Sequence, residues 1–284
     1  MTREEAEETL RLTGALADEA IDVAGTALVL ASFDRPAADL ARYRAHLDGL
    51  AAEVAEAFQR LAPAPPVSAE AGLARRLEAL NTVLFADHGY AGDELTYDDP
   101  QNANLMRVID RRRGLPVALS ILYLHAARAQ GWAAEGLGFP GHFLVRVRHG
   151  AASAIVDPFN RGAPRDSADL RRLLKRAAGA DAELAAEHYA PASNRAILLR
   201  LQNNIRLRLL QDDDLAAAAA VARRMLLIAP AEAALWRELG IVEARRGNLG
   251  DAIGALEKFL DLSGEEPARR RVADLIRELK AKLN

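Results

Sequence analysis

The sequence predicts an α+β fold: a helical N-terminal segment, a core in which a central helix faces a small antiparallel sheet, and a C-terminal array of helices. Three observations predict it. Between Gly114 and Asn160 an apolar helical stretch is followed by three short strand-like segments. From Ala196 onward the pattern is helical and repeats itself at about 34 residues. Aromatic residues are only 5% of the 284 while Ala and Leu abound, which favours helix-on-helix packing through small and unbranched side chains.

Half the residues are apolar, so the chain can bury a substantial core and hold more than one domain. The expected divisions are an N-terminal helical segment at 1–62, the core at 69–190 and the C-terminal helices at 195–284. The net charge is −3, from 37 basic and 40 acidic residues, so no nucleic acid or anionic membrane is expected as a partner. The absence of cysteine excludes disulfides, thiolate metal sites and thiol chemistry. The acidic start MTREEAEETLRL does not read as a signal peptide, and no apolar run has the length of a membrane span. A soluble, cytoplasmic protein is the expectation.

Helical periodicity runs from about Arg3 to Leu61 and breaks near Phe33-Asp34-Arg35-Pro36. Asp34 is the expected cap of the helix after Pro36. Ala62-Pro63-Ala64-Pro65-Pro66 reads as a rigid extended connector. Ala69 to Phe85 is helical again, with Leu73, Leu77, Leu80 and Leu84 on one stripe. Residues 88–104 are polar and rich in turn formers, long for a loop between packed elements. In this loop Asp99, before Pro100, and Asn102, before a helix, read as turn and cap residues. A short helix over Asn104 to Arg113 ends in Arg111-Arg112-Arg113. That run either solvates a helix end or binds a phosphate or acidic partner.

The central helix starts at Gly114-Leu115-Pro116 and carries no formal charge until Arg128, so it is expected to be buried on most sides. Pro140-Gly141-His142-Phe143 opens the second strand, in which Val145 and Val147 share a face opposite Arg146 and Arg148. Arg148-His149-Gly150-Ala151 forms a hairpin turn, and Asp157-Pro158-Phe159-Asn160 closes the third strand. In the C-terminal array, Trp236, Leu239, Gly240, Gly247 and Ala252 fall where a tetratricopeptide repeat places its large, small and turn residues. Pro230 ends the preceding unit, and Ala218 matches Ala252 one period earlier. Glu243 stands where an aromatic is usual and Phe259 where a small residue is usual. A capping helix is expected from about Pro267 to Leu283.

A helix start, then His142, then Asp157 is the order of papain-like and transglutaminase-like cores. There a Cys at the helix start carries a thiolate stabilised by the helix dipole and the histidine. The matching residue here is Pro116, which has no proton to give but suits a first helical turn. His142 and Asp157 are therefore candidates for a vestigial catalytic dyad, or for a core histidine with one nitrogen satisfied. Ser120, one turn on from Pro116, is the candidate replacement nucleophile; its other reading is a buried hydroxyl bonded back to the Pro116 carbonyl. His142, His149 and Asp157 lack the tight spacing of a metal site, so no metal or other cofactor is expected.

The runs DDPQNANLMRVIDRRRGLPVALSILYL, GFPGHFLVRV, VDPFNRG and ILLRLQNNIRLRLL resemble the SirB-type transglutaminase-like family, in which such a core is fused to tetratricopeptide helices. The resemblance spans roughly Ile21 to Leu262, with Ala103 departing from the usual Ser. It implies a core without the nucleophilic cysteine of true transglutaminases. It also implies that the polar loop lines the cleft, with Tyr97, Asp99, Asn102 and Asn160 as binding candidates. Two functions stay open: a binding or regulatory module with a protein or peptide partner, or a cysteine-independent hydrolase or acyl-transfer enzyme using His142 and Asp157.

Overall fold

The structure, a computed structural model, describes residues 1–61 and 68–283; the expected proline-rich connector at Ala62–Pro66 lies outside them. The chain forms two compact units. The first is Asp18–Leu201 with Met1, and the second joins Thr2–Ala17 to Gln202–Asn284. The helices of residues 1–62 are therefore divided between the units.

In the first unit, α2 (Val23–Ser32) is buried at nearly every position, and Asp22 caps it by accepting from Gly25 N at 3.0 Å. Helix α3 (Leu40–Leu61) buries Leu40, Tyr43, Leu47, Leu50 and Val54, at helical spacing. It starts four residues later than Pro36 suggests, and the local cap-like contact is Asp39 accepting from Ala41 N at 3.0 Å, not Asp34. Helix α4 (Ala69–Asn81) buries Leu73 and Leu80 and passes into a wider π-helical turn over Thr82–Asp87, which buries Val83, Leu84 and Phe85.

The loop beyond holds a two-residue strand β1 (Ala91–Gly92) and a 3-10 turn at Pro100–Ala103. Asp99 caps that turn as expected, accepting from Gln101 N at 2.9 Å. The cap of the next helix, α5 (Leu105–Arg111), is Asn104 rather than Asn102. Strand β2 (Arg113–Gly114) pairs in parallel with β1. Helix α6 (Pro116–Ala129) has Pro116 in its first turn, and eleven of its residues are buried. It packs against α2 and α3, and also against strands β3 (Ala133–Leu137) and β4 (Leu144–His149).

The sheet is antiparallel in the order β3-β4-β5-β6, with β5 at Ala152–Asp157 and β6 at Ala163–Pro164. The β4–β5 turn is Gly150-Ala151 alone, with Gly150 at φ 56°; His149 is still in the strand, opposite Ala152. Val145 and Val147 are fully buried as their alternation predicts. Beyond the sheet, Leu170 and Leu174 of α7 (Ser167–Ala178) join Leu137, Phe139 and Leu144 in one apolar cluster.

Helix α8 (Asn194–Gln211) contributes residues to both units. In the second unit follow α9 (Leu215–Ile228), α10 (Ala233–Arg245), α11 (Leu249–Leu262) and α12 (Glu266–Leu283), broken where the sequence predicts. Leu215 and Leu249, which open α9 and α11, stand one repeat apart. A methyl group at Gly240 would lie 2.6 Å from Leu256, so the small residue there lets α10 meet α11 closely. Trp236 donates to the Pro230 carbonyl at 2.8 Å. Phe259 is buried in a cluster with Val272, Ile276 and Leu279 of α12, which explains a large residue at a usually small position. The second unit also contains α1 (Arg3–Ala15), closed by a Thr2–Glu5 capping box. It lies so close to α9 that a methyl at Gly14 would be 2.1 Å from the Leu227 carbonyl oxygen. No described helix is long and apolar enough to cross a membrane.

Candidate functional site

Phe139-Pro140-Gly141-His142 forms a turn before β4, with His142 N donating to Phe139 O at 3.0 Å and Gly141 at φ 67°. His142 thus precedes the strand by two residues instead of lying in it. The turn aims the imidazole at the end of β5, where Nε2 stands 2.9 Å from Asp157 Oδ1. Asp157 is fully buried. Its Oδ2 accepts from Asn160 Nδ2 at 2.7 Å and from Arg165 at 2.8 and 3.2 Å, while Asn160 N donates to Oδ1 at 3.3 Å. Burial alone would raise the Asp157 carboxyl, but the bonds from His142, Asn160 and Arg165 outweigh it and hold the group below the usual carboxylate range.

An ionised carboxylate only accepts, so Nε2 carries a hydrogen, and whenever the ring is neutral the free lone pair is on Nδ1. Among the described residues Nδ1 has no hydrogen-bond partner, and the side chain keeps 12% of its surface exposed. Phe159 meets the imidazole edge-on at 5.9 Å and Tyr97 meets Phe159 in the same manner at 5.9 Å. Gly92 lies under that ring, where a methyl would come within 2.6 Å of its carbons. Gly92→Ala should therefore lower stability by about 1–3 kcal/mol in chemical denaturation, the usual range for overpacking; an unchanged midpoint would show the ring to be movable.

The other sequence candidates are placed as follows. Pro116 occupies the helix start, with Leu115 N before it donating to Asn102 O at 2.9 Å. Ser120 Oγ is fully buried and has no partner among the described residues. The expected bond back to Pro116 is absent, and none joins it to His142. Tyr97 and Asn160 are brought to the dyad region through Phe159 and Asp157. Asp99 and Asn102 belong to a separate brace. Asn102 Nδ2 donates to Thr96 O at 2.6 Å, and its Oδ1 accepts from Arg111 at 2.9 Å. Arg111 also pairs with Asp93 at 2.9 Å. Burial would raise Asp93, but bonds from Thr96, Asn102 and Arg111 bring it down to about 2.

The arginines of the run are partly or fully exposed, yet each is also bonded to protein groups. Arg111 is bound to Asp93, Arg112 to Tyr90 and His46, and Arg113 to the carbonyls of Gly89 and Arg112. Sequence reasoning missed Asp93, Arg165 and the His46–Tyr90–Arg112 cluster. Arg165, eight residues after Asp157, carried a local signal; the others are joined only by folding. A cleft of about 440 Å³ lies beside the dyad, lined by Gly92, Arg113, Phe159, Asn160 and Arg161. Among the described residues no group of three His, Asp or Glu is placed to hold a metal.

The model of the transglutaminase-like superfamily matches residues 41–203. The chain belongs to that superfamily. A tetratricopeptide-repeat model matches residues 205–279, the region of α8 to α12. A UPF0162 protein of Xylella fastidiosa is 31% identical over 252 residues, covering 86% of this chain and 85% of its own. F-box only protein 21 of Homo sapiens is 38% identical over 84 residues, 30% of this chain and 13% of its own. A crystal structure of menin covers 91% of this chain and 69% of its own, at 11% identity and a TM-score of 0.39.

The tetratricopeptide-like unit holds a groove of about 840 Å³. Arg3, Glu7 and Arg11, spaced one turn apart on α1, form one wall. Leu227, Trp236 and Leu239 supply apolar surface from α9 and α10, and Gly250 and Gly254 lie along α11. A methyl at either glycine would meet nothing within 4 Å, so the groove is open over them.

Proposed function

We propose that this chain is a binding or regulatory module in which the transglutaminase-like core is a non-catalytic scaffold and the tetratricopeptide-like unit receives a protein or peptide. What carries the reading is the start of α6: Pro116 stands there, and among the described residues His142 bonds to no hydroxyl or other nucleophile. Asp157, held by three side chains, works as a clamp joining the His142 turn, the Asn160 turn and Arg165. Repeat helices commonly present grooves to polypeptide partners, and the opening over Gly250 and Gly254 fits that role.

The test is selection of peptide ligands from a display library on the full-length chain, followed by titration of the best peptide against variants. Gly254→Arg fills the groove from an exposed helical position and removes a helix-weakening glycine, so the fold should persist. It should weaken binding about tenfold or more, as loss of a well-packed contact does, while His142→Ala leaves it unchanged. Equal binding by Gly254→Arg, or loss with His142→Ala in a folded protein, would count against the module reading.

One observation favours the second reading, a cysteine-independent hydrolase or acyl-transfer enzyme. Nδ1 of His142 offers a free lone pair on an imidazole whose other nitrogen is fixed by a carboxylate, the arrangement of a general base. Turnover of amide, ester or thioester substrates that His142→Ala abolishes would establish it and displace the scaffold reading.

A further inference from the structure

A cavity of about 560 Å³ opens where α3 meets the end of α5, lined by Arg42, Tyr43 and His46 from one and by Asp110 and Arg112 from the other. Arg112 ends α5 in the left-handed conformation, φ 58° and ψ 26°, where glycine is the usual residue. A residue with a Cβ held there is strained, so the local backbone favours glycine over the arginine present. Its guanidinium carbon lies 4.7 Å from the centre of the Tyr90 ring. NH1 bonds the Tyr90 hydroxyl and stands 2.9 Å from His46 Nε2.

Both partners are neutral. Burial first, then the charges of Arg112 and His88, push His46 down to about 4, and burial pushes Tyr90 up to about 12. The carboxylates of this region are engaged elsewhere. Asp110 takes Arg35 at 2.6 Å, the Tyr43 hydroxyl at 2.8 Å and Arg42 at 3.3 Å. Glu53 takes His88 at 2.6 Å. Arg112 thus has no carboxylate partner among the described residues, although it is half-buried. Buried charge is ordinarily paired, so a half-buried guanidinium set among neutral groups lacks a counter-ion.

We propose that this pocket binds the oxyanion group of a small molecule, a phosphate or a carboxylate, as the counter-ion of Arg112, with Arg42 at its mouth. The planar guanidinium matches two oxygens of either group. Arg42 keeps 71% of its side chain exposed and is bonded to Asp110 through NH2 alone, which leaves donors for a ligand. The volume lies within the about 300–1,000 Å³ typical of small-molecule sites, so the anion has room for an organic portion. The pocket uses none of the dyad residues, and its fate is independent of the readings above.

The experiment is calorimetric titration of the full-length chain with sodium phosphate and with sodium acetate, against sodium chloride at matched ionic strength. Saturable binding of phosphate or acetate beyond the chloride control is expected, and the tighter of the two identifies the group. Arg112→Gly supplies the residue the left-handed backbone favours and deletes only the side chain; it should fold and bind about tenfold or more weakly. Absence of saturable binding by either anion, or wild-type affinity in folded Arg112→Gly, would overturn the proposal. Should Arg112→Gly not fold, Arg42→Gln decides: a several-fold loss supports the site and wild-type affinity sinks it.

Discussion

Replacing Glu243 by Ala is expected to destabilise the tetratricopeptide-like unit by about 3–5 kcal/mol, the range for breaking one side of a buried ion pair. Glu243 is fully buried, at a position where repeats of this kind usually carry an aromatic. Its carboxylate bonds Arg246 at 2.8 and 2.9 Å, Arg223 at 2.8 Å and Asn248 at 2.7 Å. It therefore ties α9 to α10 and to the turn leading into α11. Removing it leaves a cavity and withdraws the acceptor from three donors at once. Glu243→Tyr separates these causes. Arg223 and Arg246 keep 44% and 26% of their side chains exposed and can turn to water, while a ring restores the packing the repeat ordinarily uses. The tyrosine variant should lose less than the alanine variant in urea unfolding followed by circular dichroism. A tyrosine variant as unstable as alanine would mean that the polar network, and not the filled volume, holds this unit together.

Asp157→Ala is expected to cost the transglutaminase-like core a similar amount, about 3–5 kcal/mol, because His142, Asn160 and Arg165 all lose their common acceptor. A loss under about 1 kcal/mol, the range of an exposed pair, would show that the clamp is not structural. The pH dependence has a definite sign. The Asp157 carboxyl is held below its usual range in the folded chain, so the unfolded chain takes up the proton first as pH falls. Its contribution is complete above about 3.9, the unfolded value, and is lost as pH drops through the lower folded value. Asp157→Asn cannot titrate, so wild type and this variant should approach one another in stability on acidification. A constant difference across that range would remove Asp157 from the acid response.

The elements that the sequence makes legible are those set by local pattern. The charge-free apolar run identifies α6, the helical pattern identifies the helices after Ala196, the repeat spacing aligns Ala218 with Ala252, and Arg148-His149-Gly150-Ala151 marks the hairpin whose turn is Gly150-Ala151. The His142–Asp157 pair is legible for the same reason, since a turn before one strand and the end of the next must meet across a hairpin. What stays hidden depends on partners far along the chain. Arg111-Arg112-Arg113 looks like a charged helix end until the fold brings Asp93, Tyr90 and His46 to it. Asn102 looks like a cap because its type and place suit one, but Asn104 does that work and Asn102 is drawn inward by Arg111. The π-helical turn at Thr82–Asp87 has no local signature in an apolar run. Nor does any periodicity announce that α1 belongs with α9.

That last partnership bears on the order in which the chain is made. Helix α1 is made well before its partner, since the helix it packs against begins about 200 residues later. At about 5–20 residues per second the wait is roughly 10–40 s. Through that interval Ala6, Leu10 and Thr13, buried in the finished protein, lack the α9 surface that α1 packs against. Residues 18–201 emerge meanwhile and can complete their own core before α9 exists. Helix α1 can thus be buried against α9 only after residues 18–201 have had time to complete a core of their own, so it joins its unit by a contact that closes late in synthesis.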